Sequence, residues 1–166
     1  PGSIRKDGYI IGIGVWCPKG SGFYKPDDPK IRKALKDPTI TKIFHNGVYD
    51  LDWLVNGQYH FEVNGKIEDT MTRETLLDAY DYSYALDHCC EKRGVEGKNK
   101  ADTIDAWYVK NVGKGKAVEH LDKVPFDIIA KYCIQDCKAT YELYVAQQPL
   151  IEQQELQNVN DVESAL

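Results

Sequence analysis

Apolar and polar positions along this chain switch between two rhythms: short, nearly continuous apolar runs and stretches with helical spacing. Tyr9-Ile10-Ile11-Gly12-Ile13-Gly14-Val15-Trp16 is a run of the first kind and predicts a strand buried on both faces. Its two glycines allow close backbone approach. Gly20-Ser21-Gly22 is expected to turn the chain into a second short strand at Phe23-Tyr24. Asp28-Pro29 then opens a helix over 29–36, stopped before Pro38, and a brief strand over 41–44 ends at His45-Asn46-Gly47. In the helix that follows, Val48, Leu51 and Val55 share one side while Tyr49 and Trp53 share another, and Asn56-Gly57 closes it. Segments 59–63 and 66–68 flank Asn64-Gly65, a two-residue hairpin signal. Further helices are predicted over 70–79 and 84–93.

The clearest helical rhythm comes late. Pro125 suits a first helical position because it has no N–H to lose there. Apolar residues then recur at Ile128, Ile129, Tyr132, Cys133, Ala139 and Leu143. Asp136 falls inside that face, one helical turn after Tyr132, so phenol and carboxylate project into the same space. A carboxylate turned toward a core is costly unless it is paired or holds a metal. The plain alternative is a rim carboxylate bonded to a polar neighbour. Residues 150–166 read as more helix, with no cap after Ala165-Leu166, and the chain opens at Pro1 without an initiator Met. An internal piece of a longer polypeptide is therefore expected. Alternation of strands and helices within one domain gives an α/β class.

Composition narrows the chemistry. At 166 residues the chain can bury one real core, and no apolar run approaches a membrane span. Nothing resembles a signal peptide. Five cysteines, an odd number at scattered positions, argue for a reducing compartment. A net charge of −5 disfavours bulk attraction to nucleic acid, but it leaves room for an acidic site that meets phosphate through bound cations. Between Lys92 and Lys116 seven basic residues stand against three acidic ones in a glycine-rich stretch, either a solvated loop region or a phosphate-contacting surface. Cys133 and Cys137, and the contiguous His88-Cys89-Cys90, lack structural-zinc spacing, and nothing poises a thiolate beside a His. Gly113-Lys114-Gly115-Lys116 lacks the glycine spacing and hydroxyl residue of a phosphate loop.

His45-Asn46-Gly47-Val48-Tyr49-Asp50 places Asp50 in the first turn of a helix directly after a strand. Such junctions carry the sites of many α/β proteins, although a carboxylate there can also simply complement the helix dipole. Asn-x-x-Tyr-Asp after a strand, followed by Tyr-x-x-x-Asp on a late helix, resembles the second and third motifs of the DEDD 3′–5′ exonucleases. The nearest likeness is to the proofreading domain of family A DNA polymerases, of phage type. Glu68-Asp69-Thr70-Met71 resembles that family's Asp-Thr step into a helix, and Ser83-Tyr84-Ala85-Leu86-Asp87 resembles its Ser-Leu-x-x-Leu helix start. The resemblance runs from about Tyr9 onward. Lys131 stands where one branch of the superfamily carries a His, whereas Tyr132 matches the Tyr of the other branch.

This resemblance implies a ribonuclease H-like α/β fold, a mixed central sheet flanked by helices, over residues 1–148. Residues 149–166 would begin a helical connection toward a polymerase domain in the same full-length chain. It implies two Mg²⁺ or Mn²⁺ ions, with Asp50 and Asp136 as metal ligands, Tyr132 orienting the attacking water, and Asn46 and Tyr49 contacting substrate. Two-metal sites of this kind hold ions about 3.5–4 Å apart and act by in-line displacement. The implied substrate is the single-stranded 3′ end of DNA, and the implied setting is the cytoplasm of a bacterial or phage-infected cell. An exoribonuclease of the same superfamily and a non-catalytic exonuclease-like domain are the alternatives. The family's first motif, an Asp-x-Glu on the first, central strand, has no counterpart ahead of Tyr9. The chain's one Asp-x-Glu, Asp161-Val162-Glu163, falls after the third motif and is discounted. The chain on its own is thus expected to bind metal poorly, to show little nuclease activity and to have low stability, with a groove of unpaired backbone where that strand belongs.

Overall fold

A computed structural model describes residues 8–97, 104–114, 117 and 120–163. Strand β1 (Ile13–Cys17) pairs antiparallel with β2 (Gly20–Tyr24), Ile13 opposite Tyr24 and Cys17 opposite Gly20. The reversal is made at Pro18-Lys19, so Gly20-Ser21-Gly22 lies inside β2 instead of forming the turn. Helix α1 (Pro29–Lys36) begins where the carboxylate of Asp28 accepts a hydrogen bond from the Lys30 N–H, with Pro29 in its first turn. Strand β3 (Lys42–Phe44), helix α2 (Gly47–Asn56) and strand β4 (Ile67–Asp69) form a crossover unit in which β3 and β4 run parallel, Phe44 opposite Asp69. Helices α3 (Thr70–Leu77), α4 (Leu86–Arg93) and α5 (Ile104–Asn111) follow. A short 3₁₀ turn at Leu121–Lys123 leads into α6 (Phe126–Gln153), and α7 (Gln157–Glu163) turns back.

The 28-residue α6 is the spine. Both strand pairs pack on it, as do α3, α4 and α5. Against β1 the fit is close: a Cβ at Gly14 would stand 2.5 Å from Sγ of Cys133 and 3.2 Å from Sγ of Cys137. Trp16 lies on Tyr141 with ring centroids 4.7 Å apart, and Phe23 of β2 tilts against Phe126. On another side, Ala139 and Leu143 pack with Cys89 and Cys90 of α4, all buried. α3 is joined to α6 by buried polar groups: Gln147 donates to the Thr70 carbonyl and to Glu74.

The structure corrects several expectations. The α/β class stands, and the described strands make two separate two-stranded sheets, one antiparallel and one parallel. Among the described residues no strand pairs with the outer edges of β1 or β3. β1 is not buried on both faces, since Val15 and Cys17, on one face, are exposed. The Asn64-Gly65 hairpin does not form. The Phe61 N–H bonds to the Leu54 carbonyl and the Asn64 N–H to that of Leu35, so the segment spends its hydrogen bonds on helix ends and buries Phe61 between α1 and α2. The basic stretch contains α5, with Tyr108 buried; its Lys98, Lys100 and Lys116 lie outside the described residues. Pro125 caps α6 from just outside, and the expected helix over 150–166 is broken at residues 154–156.

Candidate active site

The site is built at two strand-to-helix junctions and on the middle of α6. At the first junction β3 delivers the chain to Asn46, which takes left-handed angles (φ 62°, ψ 48°) as the cap of α2. Asn tolerates that region better than most residues. Its side chain makes no capping bond. The turn is held from outside by Asp69, at the end of β4, whose Oδ1 accepts from the Asn46 N–H (3.1 Å) and Oδ2 from the Gly47 N–H (2.5 Å). A side chain at Gly47 would crowd Phe44 and Asp69, its Cβ falling 3.2 Å from Oδ2. His45 spans Thr70 Oγ1 (2.8 Å) and the Tyr84 carbonyl (2.9 Å), so residues 69–70 grip residues 45–47.

Asp50 follows in the first turn of α2. Its surface remains open to solvent, yet neighbouring atoms crowd it. That crowding, together with repulsion from Asp69, raises its carboxyl to about 6. Asp136 sits half-buried on α6 with its Oδ1 shut off from solvent, one turn after the half-buried Tyr132. Asp50 and Asp136 come from segments far apart in the chain, and both impose negative charge on the same pair of thiols, Cys133 and Cys137. Both carboxylates therefore lie within electrostatic reach of the thiols that β1 packs against. Cys137, hydrogen-bonded to Cys133 and enclosed, is pushed well above the ordinary thiol range, so it stays neutral. Asn46 is exposed at the rim, and Tyr49 is half exposed, its ring edge-on to Trp53.

Of the residues singled out from sequence, Asn46, Tyr49 and Asp50 lie at the first junction and Tyr132 and Asp136 on α6. Asp161, on α7, does not join them; it pairs with Lys66 just before β4 (3.0 Å). Sequence reasoning noticed Asp69-Thr70 only as a helix start and gave it no task. The signal was available, since an Asp ending a strand and capping a helix has a second oxygen to spend elsewhere. Among the described residues no three His, Cys, Asp or Glu side chains are grouped to hold a metal ion. Asp50 and Asp136 are hard oxygen donors, and Asp69 adds negative charge beside Asp50, which suits Mg²⁺ or Mn²⁺ as part of a donor set.

An α/β domain with an acidic site at a strand-to-helix junction is the class these features define. A family model described as 3′–5′ exonuclease, of family A DNA polymerases, matches residues 21–152. The chain belongs to that family, in its phage type. It is 26% identical over 171 residues to a DNA polymerase of Escherichia phage T5, covering 90% of this chain and 19% of that protein. It is 26% identical over 180 residues to a DNA-directed DNA polymerase of Pseudomonas phage M6, covering 100% of this chain and 27% of that protein. A DNA polymerase of Bacillus phage SP01 is 27% identical over 128 residues, 75% of this chain and 13% of that protein. The chain thus spans about a quarter or less of these relatives. No described helix is long and apolar enough to cross a membrane.

Proposed function

We propose that this domain removes nucleotides from the single-stranded 3′ end of DNA by metal-assisted hydrolysis, as the proofreading part of a polymerase chain that continues beyond residues 149–166. On this reading the two strand pairs belong to a ribonuclease H-like sheet. The observation that supports it is that Asp50, from α2, and Asp136, from α6, both lie near enough to Cys133 and Cys137 for their charges to act on those thiols. Asp50 and Asp136 would hold divalent metal, Mg²⁺ or Mn²⁺. When bound, such ions stabilise the attacking and leaving oxygens of an in-line displacement.

The chain's own residues do the rest. The negative charges of Asp69 and Asp50, close enough to repel, favour a cation over a bare phosphate beside Asp50. Tyr132, one turn before Asp136, would orient a water with its phenol. Asn46 and Tyr49 at the rim offer an amide and an exposed ring to an unstacked terminal nucleotide. Two carboxylates are a small donor set, so the isolated chain should be feeble. The test is 3′ trimming of labelled single strands, DNA and RNA of one sequence, with Mg²⁺, by the chain and by the complete protein containing it. The expected result is chelator-sensitive trimming of DNA by the complete protein, reduced about 100-fold or more when Asp50 or Asp136 becomes Asn, the scale of a lost electrostatic contact to the transition state. Preference for RNA would assign an exoribonuclease. Unchanged trimming in both variants would remove these residues from the site.

A further inference from the structure

Asp69 makes four backbone hydrogen bonds and divides them between two elements. Oδ1 accepts from Met71 N–H (2.8 Å) and Thr72 N–H (3.4 Å), capping α3, and from Asn46 N–H (3.1 Å). Oδ2 accepts from Gly47 N–H alone (2.5 Å), in a buried contact. The neighbouring Thr70 repeats the arrangement, donating its hydroxyl to the Phe44 carbonyl (3.1 Å) while contacting His45. A cap for α3 needs only one oxygen. The second oxygen, and the 8% exposure of a charged side chain, are spent on the turn that leads to Asp50. That turn needs outside support, because Asn46 is left-handed and makes no side-chain cap of its own.

We propose that Asp69 is a positioning residue of the active site, holding the Asn46-Gly47 turn through Oδ2 so that α2 presents the Asp50 carboxylate toward Asp136. The proposal rests on the reading of Asp50 and Asp136 as metal donors. Asp69 touches neither substrate nor metal in this scheme; it acts through the backbone of residues 46–47. Its two oxygens make the claim separable from ordinary stability. In Asp69→Asn the carbonyl oxygen can keep the α3 cap, since Asn caps as well as Asp, while the amide NH₂ meets the Gly47 N–H donor against donor.

The experiment uses the full chain in ¹H–¹⁵N NMR with Mn²⁺ titrated in, because paramagnetic broadening registers even weak binding. In the wild type, Mn²⁺ should broaden amides near residues 47–50 and 133–137. In Asp69→Asn the Gly47 amide should move strongly upfield while those of Met71 and Thr72 hold, and the apparent Mn²⁺ affinity should fall at least fivefold. Gly47→Ala presses on the same contact without touching the α3 cap and should reproduce the loss, so a poorly folded Asp69 variant does not end the test. Asp50→Asn is the control. If Mn²⁺ broadening disappears in Asp50→Asn but stays at wild-type affinity in Asp69→Asn and Gly47→Ala, the positioning role is overturned while the site stands. If Asp50→Asn changes nothing, the site assignment falls and this proposal with it. A Tm loss without an affinity change would make Asp69 a helix cap only.

Discussion

Asp50 is held in a state that folding disfavours. Crowding and the nearby Asp69 carboxylate raise it to about 6, against an ordinary 3.8. A carboxyl raised in the folded state contributes stability below its unfolded pKa and loses it as pH climbs through the folded value. At pH 8, then, the ionised Asp50 works against the fold. Asp50→Asn should stabilise the metal-free chain at pH 8 by about 1 kcal/mol, after discounting for solvent that reaches an exposed carboxylate, or roughly 2–4 °C in Tm. The difference should shrink as pH falls and be lost at about pH 2–3, below the ordinary 3.8, where Asp50 is protonated in the folded and the unfolded chain alike. Thermal melts of the two proteins at both pH values check it, and equal Tm at pH 8 would contradict it. The positions of Asp50 and Asp136 are legible in the sequence because local rules place them: a first-turn Asp after a strand, and an Asp one turn beyond a Tyr on an apolar face. The packing of the neighbouring thiols is not. Cys133 reads as one more residue of an apolar face and Cys137 only as a thiol without zinc spacing, until the contact with Gly14 shows that β1 passes over both.

Among the elements, α3 is where sequence is most misleading. Glu68, Arg73 and Glu74 look like a solvated helix start, yet each is at most 1% exposed. Arg73 Nε donates to Glu68 (2.9 Å), and its guanidinium lies 4.2 Å from the centroid of the Tyr144 ring. Arg93 clamps Glu74 through Nε and Nη2, and Asn160 of α7 donates to Glu68. No periodicity announces such a set, because its members come from β4, α3, α4, α6 and α7 and are apolar in none of them. The Asn64-Gly65 signal fails for a related reason: a turn preference is local, and the hydrogen bonds of that segment are claimed by α1 and α2. Burial alone would raise Glu68 and Glu74. Hydrogen bonds from Lys66, Asn160 and Arg73 to the first, and from Arg93, Gln147 and Lys92 to the second, more than offset it and hold both below the usual 4.5. A depressed carboxyl stabilises above its unfolded pKa and stops doing so as pH falls through the folded value. Stability should therefore decline as pH drops below about 4.5. Urea midpoints from pH 7 to pH 3 should show that decline, and Glu74→Gln should flatten it; an unchanged slope would deny the network its part.

Across the whole molecule the apolar interior is divided. One cluster joins Cys89 and Cys90 to Ala139 and Leu143, and a second joins Tyr108 and Val124 to Ile129; both are built on α6. The third, around Ile31, Leu54 and Phe61, includes no residue of α6. It is tied to the rest through Ile13 of β1 and Phe44 of β3, strands that pair on one side only among the described residues. The α/β class and most helices follow from sequence because they depend on local spacing. This partition does not, because it depends on how two separate strand pairs straddle one helix. Small apolar clusters with few shared contacts open before the global transition. Amide hydrogen exchange should therefore show α1 and α2 exchanging by local opening, while the Cys133–Ile151 part of α6 exchanges only with global unfolding. Leu143 is fully buried, and Leu143→Ala should cost about 2–5 kcal/mol. That loss should speed exchange along α6 by the full amount and leave α1 unchanged as long as α1 opens by the local route. If α1 slowed or sped up in step with α6 across such variants, the three clusters would be one cooperative core, and the division drawn from their contacts would be wrong.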